Sequence, residues 1–415
     1  MDPKIIAFAA PALAVLVILE WTYARRARIT LYRFHETLAD VGCGISAQIV
    51  KGCVVVSTLS AYDHIHQTFG TTSWPLHSPW AWLAAIVLFD HSFYWWHRYS
   101  HQINVLWAVH VVHHQSEAFN LAVALRIAWF SSLTDLPFYL PLAIIGIPAP
   151  MFATIGSLNL LYQFWIHTQI VGRLGWAEWI LNTPSHHRVH HGRNPEYIDK
   201  NFGGIFIVFD RIFGTFQQES IKPLYGVLEP HRSRNPVWAN FGYWTKLWQG
   251  ARHSDTLIER IKIWFARPSS ISSESGTGER PKWITPRTSA QNGYLGVHFI
   301  VLLIATGRFL HVQQDLPIFE QVVFGGLLVW TTANLGALIE GRRWGTWSEI
   351  SRHGIVSSIG LVSGLYGRLT LPSGIALAAS LLLSFVIFHR NWNAPVLEKS
   401  PNPPHLAKAR ARRSP

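Results

Sequence analysis

Eleven of the chain's twenty-two histidines fall between positions 90 and 191, and they are grouped. They read His97-x3-His101, His110-x2-His113-His114 and His187-x2-His190-His191, with His91, His167 and His186 placed singly around them. On a helix turning 100° per residue, positions i and i+4 share a face, and i, i+3 and i+4 span an arc of about 100°. Each box therefore aims its imidazoles at one point. A neutral imidazole offers one lone pair and is the commonest biological metal ligand. His97, His101, His110, His113, His114, His187, His190 and His191, with His167 beside them, are too many ligands for a single ion. The spacing predicts a two-metal centre built almost entirely from histidine. Packing alone does not favour such runs, because each buried ring needs partners for its nitrogens. His35, His77, His298, His311, His353 and His405 stand alone and read as core residues or caps.

All-nitrogen ligation suits iron without excluding zinc or copper. Breaking an unactivated C–H bond needs an oxidant that no side chain supplies, so oxygen would have to be activated at metal, and two irons can share the electrons that reduce it. The Glu-x-x-His pairs of soluble di-iron bundles are absent. Glu117, three residues past His114, is expected on the ligand face, where it could orient an imidazole or accept a proton. Asp90, Arg98, Asn120 and Asp199 are candidates for the surrounding shell. His91 could join that shell, and His186, pointing about 100° away from His187, could orient a ligand.

The remainder of the chain must position these groups. With 49% apolar, 13% aromatic and 14% charged residues, it is poorer in charge than a soluble globular protein and reads as an all-α, polytopic membrane bundle with a cytosolic helical cap. The net charge of +12 is distributed beside apolar runs, which points to topology signals and lipid head groups and away from nucleic acid. Cys43 and Cys53 are the only cysteines, which excludes a disulfide scaffold and a cysteine-based metal site.

Apolar runs at 5–24, 42–61, 80–96, 127–147, 149–166, 293–310, 318–338, 355–366 and 375–388 suggest about nine spans. Arg25, Arg26, Arg28 and Arg33 place the end of the first run in the cytoplasm, and the first histidine box then follows the third span on that same side. Arg126 and Asp135, at or inside an apolar run, are functional candidates or partners of each other. Asn182-Thr183-Pro184-Ser185 reads as a loop that starts the helix carrying the third box. Trp238, Phe241, Trp244 and Trp248, then Ile258, Ile261, Trp264 and Phe265, recur at helical spacing, as in a helix lying among head groups or packed in the cap. The expected division is 1–78, N-terminal spans; 79–267, the catalytic domain; 268–292, a Ser/Gly/Pro-rich linker; 293–391, four spans without metal-ligand spacing; and 392–415, a basic tail.

The text Asp90-x3-Tyr94-Trp95-x-His97-Arg98-x2-His101, Trp107-x2-His110-x2-His113-His114 and His187-x2-His190-His191 resembles the histidine boxes of the fatty acid hydroxylase and sterol desaturase superfamily. Asn120-Leu121, Tyr162 to Thr168, Asn182 to Gly192, Asp199-Lys200-Asn201 and Ile212 to Phe216 extend the similarity towards its ether-lipid monooxygenase branch. The resemblance implies a non-haem di-iron oxygenase holding two Fe ions on the eight box histidines and His167. It further implies a lipid substrate with O2, an electron donor in the form of reduced tetrahydrobiopterin or a redox protein, and a multi-pass location in a bacterial inner membrane or endoplasmic reticulum with a cytosolic active site. Arg98 and position 102 fall where cofactor contacts are expected. Ether-lipid members carry glutamate directly after the second histidine of the first box, where this chain has Gln102, which places pterin use in question. Fatty-acid and sterol hydroxylation or desaturation remain alternatives, as do a metal transporter and a zinc-loaded, catalytically silent lipid-binding protein.

Overall fold

A computed structural model describes residues 3–229, 233–268 and 286–365 together with Leu381, Ser384, Val386 and Phe388. Most of the expected linker, the last expected span and the basic tail lie outside the described residues. Among the described residues the regular elements are all helices; the pairings Leu181 with Phe206 and Gly192 with Tyr225 are isolated bridges.

The helices are α1 (Pro3–Arg26), α2 (Phe34–Phe69), α3 (Pro79–Gln102), α4 (Asn104–His114), α5 (Ser131–Ile144), α6 (Ala149–Trp165), α7 (Pro184–His190), α8 (Val208–Ile212), α9 (Pro236–Arg252), α10 (Leu257–Phe265), α11 (Ser289–Val312), α12 (Ile318–Glu340) and α13 (Arg343–Leu365). They fall into two compact units, Met1–Trp283 with Ile300–Gly336, and Ile284–Phe299 with Ala337–Pro415.

Local chemistry sets the elements around the histidines. Ser78 caps α3 by accepting from the Ala81 amide, with Pro79 in the first turn. Ile103 takes an extended conformation and breaks the helix, and α4 starts immediately after it. That corner turns the first two boxes towards each other. Thr183 and Pro184 start α7 as their spacing predicts. Beneath the boxes, Phe89 stacks on Tyr139 and Tyr62 on Phe152, in a core shared by α2, α3, α5 and α6.

The membrane pattern is coarser than nine spans. Among the described residues Ser289–Asp315 and Ile318–Glu340 are long and apolar enough to cross a bilayer, and Phe34–Gly52 with Ser57–Phe69 passes as one bent span. The runs at 127–147 and 149–166 become α5, of 14 residues, and α6, of 17. At ~1.5 Å per residue both fall short of the ~30 Å apolar thickness. Residues 127–130 instead form a turn packed against α4 and α9. On α9, Ala239, Asn240 and Leu247 are buried while Trp238 and Trp248 are exposed. On α10 no residue is buried, and Leu257, Ile258, Ile261 and Phe265 all face outward.

Candidate metal centre

Nine histidines from α3, α4, α7 with its C-cap residue, and the turn that follows α6 converge as two adjacent cages. His97, His101, His110, His114 and His190 form one; His113, His167, His187 and His191 form the other. In each, one nitrogen per ring lies within 4.8 Å of all the others. The second box is thus shared, because His110 and His114 lie one turn apart while His113 points to one side and joins the third box.

Four rings are aimed by backbone carbonyls. The Nδ1 atom lies 2.7 Å from the Phe202 carbonyl in His97, 3.2 Å from Arg126 in His113, 2.7 Å from Gln163 in His167 and 2.9 Å from Lys200 in His190. A carbonyl only accepts, so these rings carry their proton on Nδ1 and, when neutral, leave Nε2 as a bare lone pair. The Nε2 atoms nevertheless approach closely: His113 to His167 at 3.1 Å, His167 to His187 at 2.9 Å and His187 to His191 at 3.2 Å. In the other cage His97 meets His110 at 3.0 Å, His110 meets His114 at 3.1 Å and His114 meets His190 at 3.2 Å. His113 and His167 cannot hydrogen-bond each other with both protons held elsewhere, and no set of tautomers satisfies all three contacts of the first cage. A cation at the centre of each cage resolves both conflicts. At a metal–nitrogen distance of ~2.1 Å, ligands at right angles lie ~3.0 Å apart and tetrahedral ones ~3.4 Å, so the gaps match the former. The buried Nε2 of His101 and Nδ1 of His187 have no protein partner among the described residues, and the His101 atom belongs to the same cage. The donor set fits one transition ion per cage.

Electrostatics agree. Burial, and after it the neighbouring imidazoles, hold His97, His110, His114, His187, His190 and His191 well below the usual histidine range. Burial draws His113 down to about 4 and lowers His167 further with the help of His113. These eight rings are therefore neutral at physiological pH, the form that binds metal.

The loop that receives His97 and His190 is held from beneath by two carboxylates. Asp210 accepts the amides of Phe202 and Gly203 and the Thr215 hydroxyl, each at 2.7 Å. Asp90, fully buried, accepts from Ile205 at 2.7 Å, Phe206 at 2.9 Å and Asn159 at 3.0 Å. Asp90 thus acts on the cage through the loop and touches no imidazole. Arg98 donates to Tyr94 at 3.0 Å, and Tyr94 pairs with Thr215 at 2.9 Å, which ties Arg98 to the same support. Asp210 was not singled out by its spacing, since one carboxylate in a short helix carries no pattern. On the other side Arg126 donates to the Val112 carbonyl at 2.6 Å, Asp40 at 3.1 Å and Gln115 at 2.7 Å. Its partner is Asp40 rather than Asp135.

Several expected neighbours lie elsewhere. The helix ends at His114, so Glu117 leaves the ligand face and rests near Gly226. Asn120 donates to the Leu31 carbonyl at 2.8 Å and accepts the Ala122 amide, which fixes the turn behind Phe119; Phe119 itself stacks on His167. Gln102, half-buried, ends α3 next to His101. Asp199 lies 3.7 Å from the Nδ1 of His101. His91 accepts from Trp95 and packs on Phe209, away from both cages, and His186 packs on Phe216 at 4.0 Å from Glu178.

The expectation that the C-terminal block brings no ligands together is corrected. His298, Glu349 and His353 are buried as a third group. The physical reason it escaped the spacing is that His298 comes from a different helix. Arg352 donates to both Glu349 oxygens, at 2.8 and 2.6 Å, and lies 3.2 Å from His298, so a cation already occupies the carboxylate. That group reads as a structural ion pair.

A cavity of about 180 Å3 opens on both cages, reaching His97, His110, His113, His167 and His187 between walls of Phe89, Phe93, Phe152, Leu160 and Phe164. Helical architecture, two polyhistidine cages fit for metal and a largely apolar chamber thus come together in one place. The Fatty acid hydroxylase family model matches residues 82–215, which contain all nine cage histidines. An alkylglycerol monooxygenase from Danio rerio is 34% identical over 355 residues, 82% of this chain and 78% of the relative; one from Homo sapiens is 41% identical over 220 residues, 52% and 49%. An ornithine lipid hydroxylase from Rhizobium tropici is 26% identical over 205 residues, 48% and 60%. No solved structure matches the chain. The chain belongs to the fatty acid hydroxylase family, within its alkylglycerol monooxygenase group.

Proposed function

We propose that the protein is a membrane-bound non-haem di-iron monooxygenase that hydroxylates the carbon beside the ether oxygen of an alkylglycerol. The observation that carries this reading is the pair of cages whose lone pairs face each other at cis-ligand spacing and open on an apolar cavity. His97, His101, His110, His114 and His190 would hold one ion, and His113, His167, His187 and His191 the other. Iron bound there supplies the oxygen-activating chemistry that side chains lack. The protein's own part is to keep the imidazoles neutral and aimed, to exclude water and to present the substrate carbon. Hydroxylation beside the ether oxygen gives a hemiacetal, which falls apart to an aldehyde and a glycerol derivative. The many-span topology with a cytosolic site, the division at 79–267, and reduced pterin or a redox protein as electron donor belong to the same proposal.

Gln102, together with the similarity to an ornithine lipid hydroxylase, favours one second reading: a hydroxylase of an acyl or sterol carbon that uses the same centre and stops at the alcohol. Purified protein loaded with iron should consume oxygen and release fatty aldehyde from an alkylglycerol when reduced pterin is supplied. The Gln102→Glu variant, run alongside, reports on the donor. Turnover of acyl lipids, with neither protein touching the alkylglycerol, would refute the ether-lipid assignment.

A further inference from the structure

The cavity that reaches the cages has a second polar place, away from the histidines and unused by the chemistry above. Lys51 of α2, 5% exposed, and Asp135 of α5 both line it. Their charges act on each other, yet they form no ion pair, and neither side chain has a hydrogen-bonding side-chain partner among the described residues. A buried ammonium without a partner is costly, so its presence beside empty space points to a ligand. Ser131 and Ser132 line the same cavity.

The distance from the cages follows from the helices. Gly44 of α2 packs on the Leu125 carbonyl, next to the Arg126 carbonyl that holds His113. Lys51 lies seven residues further on, ~10 Å along α2. Asp135 stands one turn, ~6 Å, along α5 from Ser131. In a glycerol ether, five bonds separate the carbon beside the ether oxygen from the terminal hydroxyl, a reach of about 6 Å when extended, taking ~1.2 Å per bond from the backbone. A reactive carbon held against a cage therefore carries the glycerol hydroxyls about 6 Å into the cavity that the lysine and the carboxylate also line.

The pair also selects the kind of head. A hydroxyl both donates and accepts, so vicinal hydroxyls satisfy Asp135 and Lys51 together. A fatty-acid carboxylate would meet Lys51 under the repulsion of Asp135. We infer that Lys51 and Asp135 recognise the neutral diol head of a glycerol ether and set which carbon of the chain faces the cages. The assignment rests on the proposed function and deepens it.

The test is anaerobic binding of labelled 1-O-hexadecylglycerol to the full, iron-loaded chain in lipid nanodiscs, with hexadecyl methyl ether and palmitate as competitors. Wild-type protein should prefer the diol about tenfold or more over either competitor. Lys51→Met and Asp135→Asn should each weaken the diol about tenfold while leaving the methyl ether unchanged, and Lys51→Arg, which keeps the charge, should retain diol binding. Iron content and elution on size exclusion establish that each variant is folded. Diol binding unchanged in both neutral variants would overturn the head-group assignment alone, and so would an equal loss for all three ligands. Preference of the wild type for palmitate would overturn the ether-lipid reading beneath it.

Discussion

Acidifying the metal-stripped protein gives the most direct check on the cages. Eight of the nine cage imidazoles are held below their ordinary range, chiefly by burial. In the unfolded chain each titrates near 6.5, so below that pH the unfolded state binds more protons and stability falls. The stabilisation is complete above about 6.5 and is lost as pH drops towards the folded values, about 4 for His113. At pH 5.5, one unit below the unfolded value, each site contributes a loss on the order of 1 kcal/mol, and eight together approach a loss on the order of 10 kcal/mol if the cages stay shut. That rivals the whole stability of a typical domain, about 5–15 kcal/mol. Metal-free protein in detergent should therefore lose its cooperative melt, followed by tryptophan fluorescence or circular dichroism, between pH 6.5 and 5. The iron-loaded protein should hold to a lower pH, since a bound cation competes with protons for the same lone pairs. An unchanged melting temperature for the metal-free form between pH 7.5 and 5.5 would refute the picture of closed, neutral cages.

Asp210→Asn should weaken metal retention about 10- to 100-fold in a chelator competition, because an amide cannot accept from Phe202, Gly203 and Thr215 as the carboxylate does; wild-type retention would remove the loop from the support of His97. His101→Ala and His187→Ala should each lower metal content by one cage's share and leave the other, measured by elemental analysis; a complete loss in both would mean that the cages are one site. Arg126→Met leaves Asp40 buried without its cation and should destabilise the fold by about 3–5 kcal/mol in a denaturant melt, with a change under 1 kcal/mol counting against the pairing.

The individual boxes were legible because i, i+3 and i+4 have a fixed meaning on a helix. How they divide was not: His113 leaves His110 and His114 for a partner 54 positions away, His167, a choice made by the corner at Ile103 and the packing of α6. Glu117 misled because helical phase was continued past the point where α4 stops. Asp90 was legible as a supporting group, though its task, holding the amides of Ile205 and Phe206, depends on a loop 115 positions on. Hydropathy alone does not set the span count, since the runs around α5 and α6 form helices of 14 and 17 residues that are partly buried within the bundle. Lys51 lies inside the apolar run at 42–61, and only the fold brings it to a cavity.

The four carbonyls that orient His97, His113, His167 and His190 belong to Phe202, Arg126, Gln163 and Lys200, which have nothing in common as side chains. Tautomer choice in these rings is therefore written in chain path rather than residue identity. The carbonyls themselves place no demand on the side chain beside them, and anyone transplanting the histidines into another scaffold must copy the trace of the backbone along with them.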